Sequence, residues 1–142
     1  MIPSSSHFSS VQAIAFRLMP HEDVKKYLDD WVKQIQVSAA CIISCVGSLE
    51  KVCIRFAGKK EVNIITGKFE IISLSGTLST HGSHLHIAIA DEFGEITGGH
   101  LKEGSLVNTT VEMVIGILAE YEFKREQDET YGYKELKIDP VK

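Results

Sequence analysis

Three of the six histidines in this 142-residue chain lie in one short stretch, HLHIAIADEFGEITGGHL, residues 84–101. His84 and His86 stand two apart, and His100 follows a Gly-Gly pair. Imidazole is the commonest metal ligand among side chains. Three histidines with a fourth position left open form a catalytic or ligand-accepting zinc site, whereas structural sites are closed by four protein ligands. The alternative is a solvated cluster along a wet sheet edge, so everything turns on whether the chain brings the three rings together.

The segment between the histidines is a turn signal. Glu92-Phe93-Gly94 makes a three-residue hairpin loop with Gly94 in the left-handed position. That loop sets Asp91 against Glu95, which puts His86 opposite His100 and His84 two residues along on the same face. The other face collects Leu85, Ile87 and Ile89, as a core-facing side requires. Ala88 and Gly98 on the histidine face are small and leave room for something to approach. Strand residues two apart are ~6.6 Å apart and opposed Cβ atoms ~5 Å. Those spans can converge on Zn–N bonds of ~2.0–2.1 Å. A loop longer or shorter by one residue would throw His100 to the wrong face. His81, in HGSHLH, is a candidate fourth ligand from the preceding turn.

Other chemistry is thinner. Thr109, Thr110 and Glu112 could supply a hydroxyl and a general base beside a metal-activated water, or simply form an ordinary strand with Glu112 in a surface pair. Gly98-Gly99 matches no phosphate loop, because no helix with Lys and Ser/Thr follows. The chain has no Gly-x-Ser-x-Gly elbow, no helical His-Glu-x-x-His and no dinucleotide fingerprint.

The elements that must position these residues can be read from periodicity. VQAIAFRLM (11–19) alternates like a strand, with Ile14, Phe16 and Leu18 on one face. HEDVKKYLDDWVKQIQV predicts the one main helix, about 21–36, with a core stripe of Val24, Tyr27, Leu28, Trp31, Val32 and Ile35. Pro20, Glu22 and Asp23 suit its first turn. From residue 38 onward β-branched residues and turn signals recur. AACIISCVGS and KVCIRFAG read as two strands joined near Gly47-Ser48, EVNIIT as a short one, and GKFEIISLSGTLS as a central strand apolar on both faces. HLHIAIA, EITGGHL and TTVEMVIGILAEYEF follow, then a charged tail with one edge strand. The expectation is a single α+β domain over 11–139, a mostly antiparallel sheet of seven to eight strands with one helix, behind a disordered Ser-rich segment 1–10.

Composition narrows the function classes. At 44% hydrophobic and 24% charged residues the chain is that of a soluble globular domain. Its net charge of −4 and lack of any Lys/Arg run disfavour a protein that grips phosphate backbones. Cys41, Cys45 and Cys53 make an odd count at poor zinc spacing, which predicts buried free thiols in a reducing compartment. No signal peptide and no apolar run of ~18 residues is visible. An intracellular, cytoplasmic location is the expectation.

Four strings together resemble the plants-and-prokaryotes-conserved (PPC) domain: IAFRLMPHEDVKKYLDDWV, ISCVGSLEKVCIRFAG, TGKFEIISLSGTLSTHGSHLHIAIADEFGEITGGHL and ETYGYKELKI. They occur in order over about residues 12–139. The resemblance implies a compact α+β fold, a homotrimer and, for a stand-alone member, zinc held by His84, His86 and His100. Plant members carry this domain behind an AT-hook, an Arg-Gly-Arg-Pro element that reads AT-rich DNA, and act as transcriptional regulators. No Arg-Gly-Arg-Pro occurs here, and the chain is acidic. The leading expectation is thus a trimeric zinc-binding module with an assembly or regulatory role, DNA-associated through partners. The alternative is a small zinc-dependent enzyme with Glu112 as its base, and direct DNA binding by the trimer surface is a third.

Overall fold

The computed structural model describes residues 8–130 and 132–141. The chain runs β1 (Val11–Leu18), α1 (Val24–Gln34), β2 (Ala40–Arg55), β3 (Asn63–Leu78), β4 (His84–Ala90), β5 (Ile96–Leu101), β6 (Leu106–Leu118), β7 (Tyr121–Gln127) and β8 (Lys134–Pro140). This is the expected α+β domain of eight strands and one helix. All strand pairings are antiparallel. Six strands form one sheet in the order β1-β6-β2-β3-β4-β5, and β7-β8 make a separate two-stranded sheet.

Two expected strand breaks do not occur. AACIISCVGS and KVCIRFAG are one continuous strand, β2, which passes through Gly47 at φ +146 without turning. The Gly-Ser pair marks a register irregularity against β6 between Gly47 and Leu49, where a turn was expected. EVNIIT and GKFEIISLSGTLS likewise fuse into β3. Conversely, TTVEMVIGILAEYEF is two strands, because the chain turns at Ala119-Glu120. Of the N-terminal segment 1–10, residues 1–7 lie outside the described residues, while Ser9 and Ser10 bond to the Glu120 carboxylate in that turn.

Helix α1 starts later than its composition suggests. Asp23 is the N-cap: its side chain accepts from Lys26 N, so Pro20 and Glu22 precede the helix. The same carboxylate accepts from Gly104 N and ties the helix start to the β5–β6 loop. Val24, Leu28 and Val32 are fully buried, Tyr27 and Trp31 pack against them, and Ile35 ends the stripe as the C-cap, half exposed. Phe16 of β1 stacks at 5.5 Å on both Tyr27 and Trp31. The three cysteines are free; Cys45 and Cys53 are buried, and burial pushes the Cys45 thiol up to about 12.

What matters most for the site is a closure. One edge of β2 pairs with β6 along most of its length and then, at Ile54 and Arg55, with Leu101 and His100 of β5. Since β2 also pairs with β3, β3 with β4 and β4 with β5, the four strands close into a ring. Leu85, Ile87, Ile89, Ile54 and Leu101 fill its inside. Two glycines permit the tight approach of β5. A Cβ at Gly99 would sit 2.8 Å from the Arg55 carbonyl oxygen, and one at Gly98 would sit 2.5 Å from that of Ile87.

Candidate metal centre

The β4–β5 hairpin has the expected register. Gly94 takes φ +81, Asp91 N donates to Glu95 O at 3.0 Å, and the Asp91 carboxylate accepts from Phe93 N and Glu95 N at 2.9 Å each. His86 therefore pairs with His100, and Ala88 with Gly98. His84 sits one pleat further along, opposite Thr77 of β3.

The three rings converge. Centroids are 5.0 Å apart for His84–His86 and for His84–His100, and 5.6 Å for His86–His100. One nitrogen from each can be chosen so that all three lie within 4.8 Å of one another. His84 Nε2 and His86 Nε2 are 3.1 Å apart. A tetrahedral ion with bonds of ~2.0–2.1 Å needs its ligand atoms ~3.3 Å apart, so this pair is already at coordination spacing. His100 Nδ1 is buried with no hydrogen-bond partner. A buried imidazole nitrogen that the protein leaves unsatisfied is costly unless something other than protein completes it. The donor set fits a divalent transition metal on both counts.

Electrostatics favours the neutral form of His84 and His100. Burial, then the charges of Lys102, His84 and Arg55, press the His100 imidazole down to about 4. His84 is lowered too, by burial first and then by His86 and Arg125. Neutral imidazole is the form that binds metal.

The histidines open onto a cavity of about 620 Å³. Its walls include Arg55, Lys102, Arg125 and Tyr133, none of which spacing along the chain singles out. Each arrives through topology. Arg55 is the cross-strand partner of His100 across the ring closure. Lys102 is two residues beyond His100, where Lys102 N still pairs with Cys53 O. Arg125 reaches over from β7 and donates to Thr77 Oγ1 at 2.7 Å, beside His84. The Arg55 guanidinium lies 5.8 Å from the centre of the Tyr133 ring.

The remaining candidates are placed apart from the triad. His81 lines the cavity rim, but its Nε2 faces Glu122 at 3.6 Å and it is not among the converging rings. Glu112 is on β6 opposite Arg17 and Val46, in a different hollow lined also by Ala15 and Ser44. Thr109 Oγ1 bonds to Ser48 Oγ at 2.7 Å, and Thr110 Oγ1 is buried without a partner. Neither threonine reaches the histidine cavity. The physical reason is the strand order: β6 lies on the far side of β2 from β3 and β4. Gly98 also departs from expectation, since the Ile87 carbonyl fills the space that a small residue was expected to leave open.

Comparison with known proteins identifies the family. The model of the Plants and Prokaryotes Conserved (PCC) domain matches residues 5–119. The chain belongs to this family. Over 132 residues it is 39% identical to the bifunctional protein GlmU of two Synechococcus strains, covering 93% of this chain and 21% of each relative. It thus spans about a fifth of the length of those curated relatives. Among solved structures, a hypothetical protein from Salmonella enterica superposes with a TM-score of 0.92 at 42% identity, covering 96% of this chain and 99% of that one. A metal-containing protein from Archaeoglobus fulgidus gives a TM-score of 0.77 at 25% identity, covering 92% and 96% respectively. No helix among the described residues is long and apolar enough to cross a membrane.

Proposed function

We propose that this PCC domain is a zinc-binding module in which His84, His86 and His100 hold the ion and leave one coordination position facing the cavity. The observation that carries this reading is the convergence of three ligand nitrogens within 4.8 Å, two of them at coordination spacing. The similarity to a metal-containing protein supports it. When bound, such an ion supplies Lewis acidity at its open position. The chain's own part is to hold His84 and His100 neutral and all three rings fixed on a closed ring of strands, so that the site is formed before metal arrives.

The same reading makes the chain a homotrimer. Ile43 and Val46 of β2 and Ile64 and Ile72 of β3 are each more than half exposed, which is apolar surface suited to burial between copies. Light scattering is expected to give three times the monomer mass. An assembly or regulatory role, DNA-associated through partners, goes with this reading. Direct DNA contact is the part least supported by an acidic chain, and a salt-insensitive or undetectable interaction at low ionic strength would exclude it.

The cavity favours a second reading, a small zinc-dependent enzyme. Glu112 stands outside that cavity, so beyond the three histidines the groups at hand there for proton transfer are His81, Lys102, Tyr133, Lys134 and Glu135.

Elemental analysis of protein purified without metal-affinity resin tests the metal. About one zinc per chain is expected, falling to near zero in His86→Ala. A wild-type protein that remains metal-free after incubation with zinc would overturn the reading.

A further inference from the structure

Four cations, Arg55, Lys102, Arg125 and Lys134, line the histidine cavity, against one carboxylate among the described residues, Glu135. This is a local excess of positive charge in a chain whose acidic residues outnumber its basic ones, 19 to 15. Arg55, Lys102 and Arg125 make no ion pair with any described carboxylate. Among the described residues the Arg55 side chain donates to the Lys59 carbonyl, at 3.2 Å, and that of Arg125 to the Thr77 hydroxyl. Elsewhere Lys25, Lys26, Lys124 and Lys137 are each matched with an aspartate or glutamate, and the lysines left without one, such as Lys33, Lys59, Lys60 and Lys68, stand exposed to solvent, not gathered around a cavity. Charged side chains held in a concave site without counterions are usually completed by something that carries the opposite charge.

We propose that this cavity binds a small organic oxyanion, a carboxylate or phosphate, whose charged oxygens are held by Arg55, Lys102 and Arg125. The two guanidiniums offer planar forks that match such oxygens in pairs, and Lys102 adds a point charge. A volume of about 620 Å³ suits a metabolite-sized molecule. The Tyr133 ring, half exposed beside Arg55, offers an apolar face for the remainder of that molecule. The metal reading enters in one respect: an oxygen of the anion would reach the open coordination position and bind more tightly when zinc is present. The cations themselves are independent of it.

Isothermal titration calorimetry of the full chain, zinc-loaded and metal-free, tests this with two probes, inorganic phosphate and malonate. One saturable anion per chain is expected, with at least one probe binding. Arg125→Gln and Arg55→Gln are each expected to weaken it about tenfold or more while zinc content stays unchanged. Two variants are used because Arg125 also supports β7 through Thr77; an unchanged far-UV spectrum certifies each. Lys124→Gln, a paired surface lysine outside the cavity, is expected to bind as wild type. Failure of the chain to load zinc, with the metal-free protein still binding a probe, would mean the zinc reading fails and the anion site stands. Neither probe saturating, or both arginine variants binding as wild type, would overturn the proposal. So would a DNA duplex that binds more tightly than either probe and loses that affinity in the same variants, because the cations would then serve a nucleic acid.

Discussion

Two hairpins meet at the cavity, and they are built on opposite terms. The β4–β5 hairpin alternates between a fully buried side, with Leu85, Ile87 and Ile89 at 0–2% exposure, and the histidine side. It is bonded to β3 along one edge and to β2 beyond the other. The β7–β8 hairpin is a sheet of its own, anchored by buried Phe123, by the backbone bond from Phe123 N to Ser38 O and by the side-chain bond from Arg125 to Thr77. Its faces carry surface ion pairs such as Lys124–Asp139 and Lys137–Glu126. One hairpin supplies the three converging histidines, and the other supplies Arg125, Tyr133 and Glu135 to the opposite wall. Groups that must agree to within tenths of an ångström sit on the element that the core immobilises. Groups that need only present charge sit on the one that it barely holds.

The sharpest way to break this contrast is by stability. Leu85→Ala should cost about 2–5 kcal/mol in chemical denaturation, the range for a large apolar side chain deleted from a core. Ile138→Ala on β8, 52% exposed, should change stability by no more than about 0.5 kcal/mol. Equal effects would mean that the two hairpins are not differently held.

The second test is pH, on metal-free protein. His100 titrates near 4 when folded, against an ordinary value near 6.5. Between those values the unfolded chain binds a proton that the folded chain refuses. Stability from this group is therefore complete above about pH 6.5 and declines as pH falls towards 4. The melting temperature should drop from pH 7 to pH 5, and His100→Gln should flatten that part of the profile. On β7 the Glu122 carboxylate is held below its usual range by its hydrogen bond to Lys124, so what it contributes is complete at pH 7 and is lost only at pH values below the ordinary carboxylate range.

The smallest effect tests the outer hairpin. Lys137→Ala removes an exposed pair with Glu126 and should leave the melting temperature unchanged within error.

The contrast also separates what could be read along the chain from what could not. The histidine hairpin was legible because its determinants are local: a three-residue loop ending in Gly94, and a period of two that forces Leu85, Ile87 and Ile89 to one side. The helix stripe was legible for the same reason, apart from a start displaced by the Asp23 cap. Gly47 misled because a glycine that lets two strands approach looks like one that turns the chain. The wall of cations was invisible, since Arg55 meets His100 only through a closure between residues 45 positions apart, and Arg125 belongs to a different sheet. Glu112 is the converse: it had the right chemistry on a strand that the topology carries elsewhere.

Gly76 of β3 pairs with Leu85 at φ +143, and a Cβ there would lie 1.9 Å from the His84 carbonyl oxygen. The first histidine of the triad is thus backed by a place where the neighbouring strand has no atom to spare. In a genetic screen for loss of zinc, position 76 should score with the ligands themselves, although it offers no side chain, and even alanine there should be recovered as a null allele.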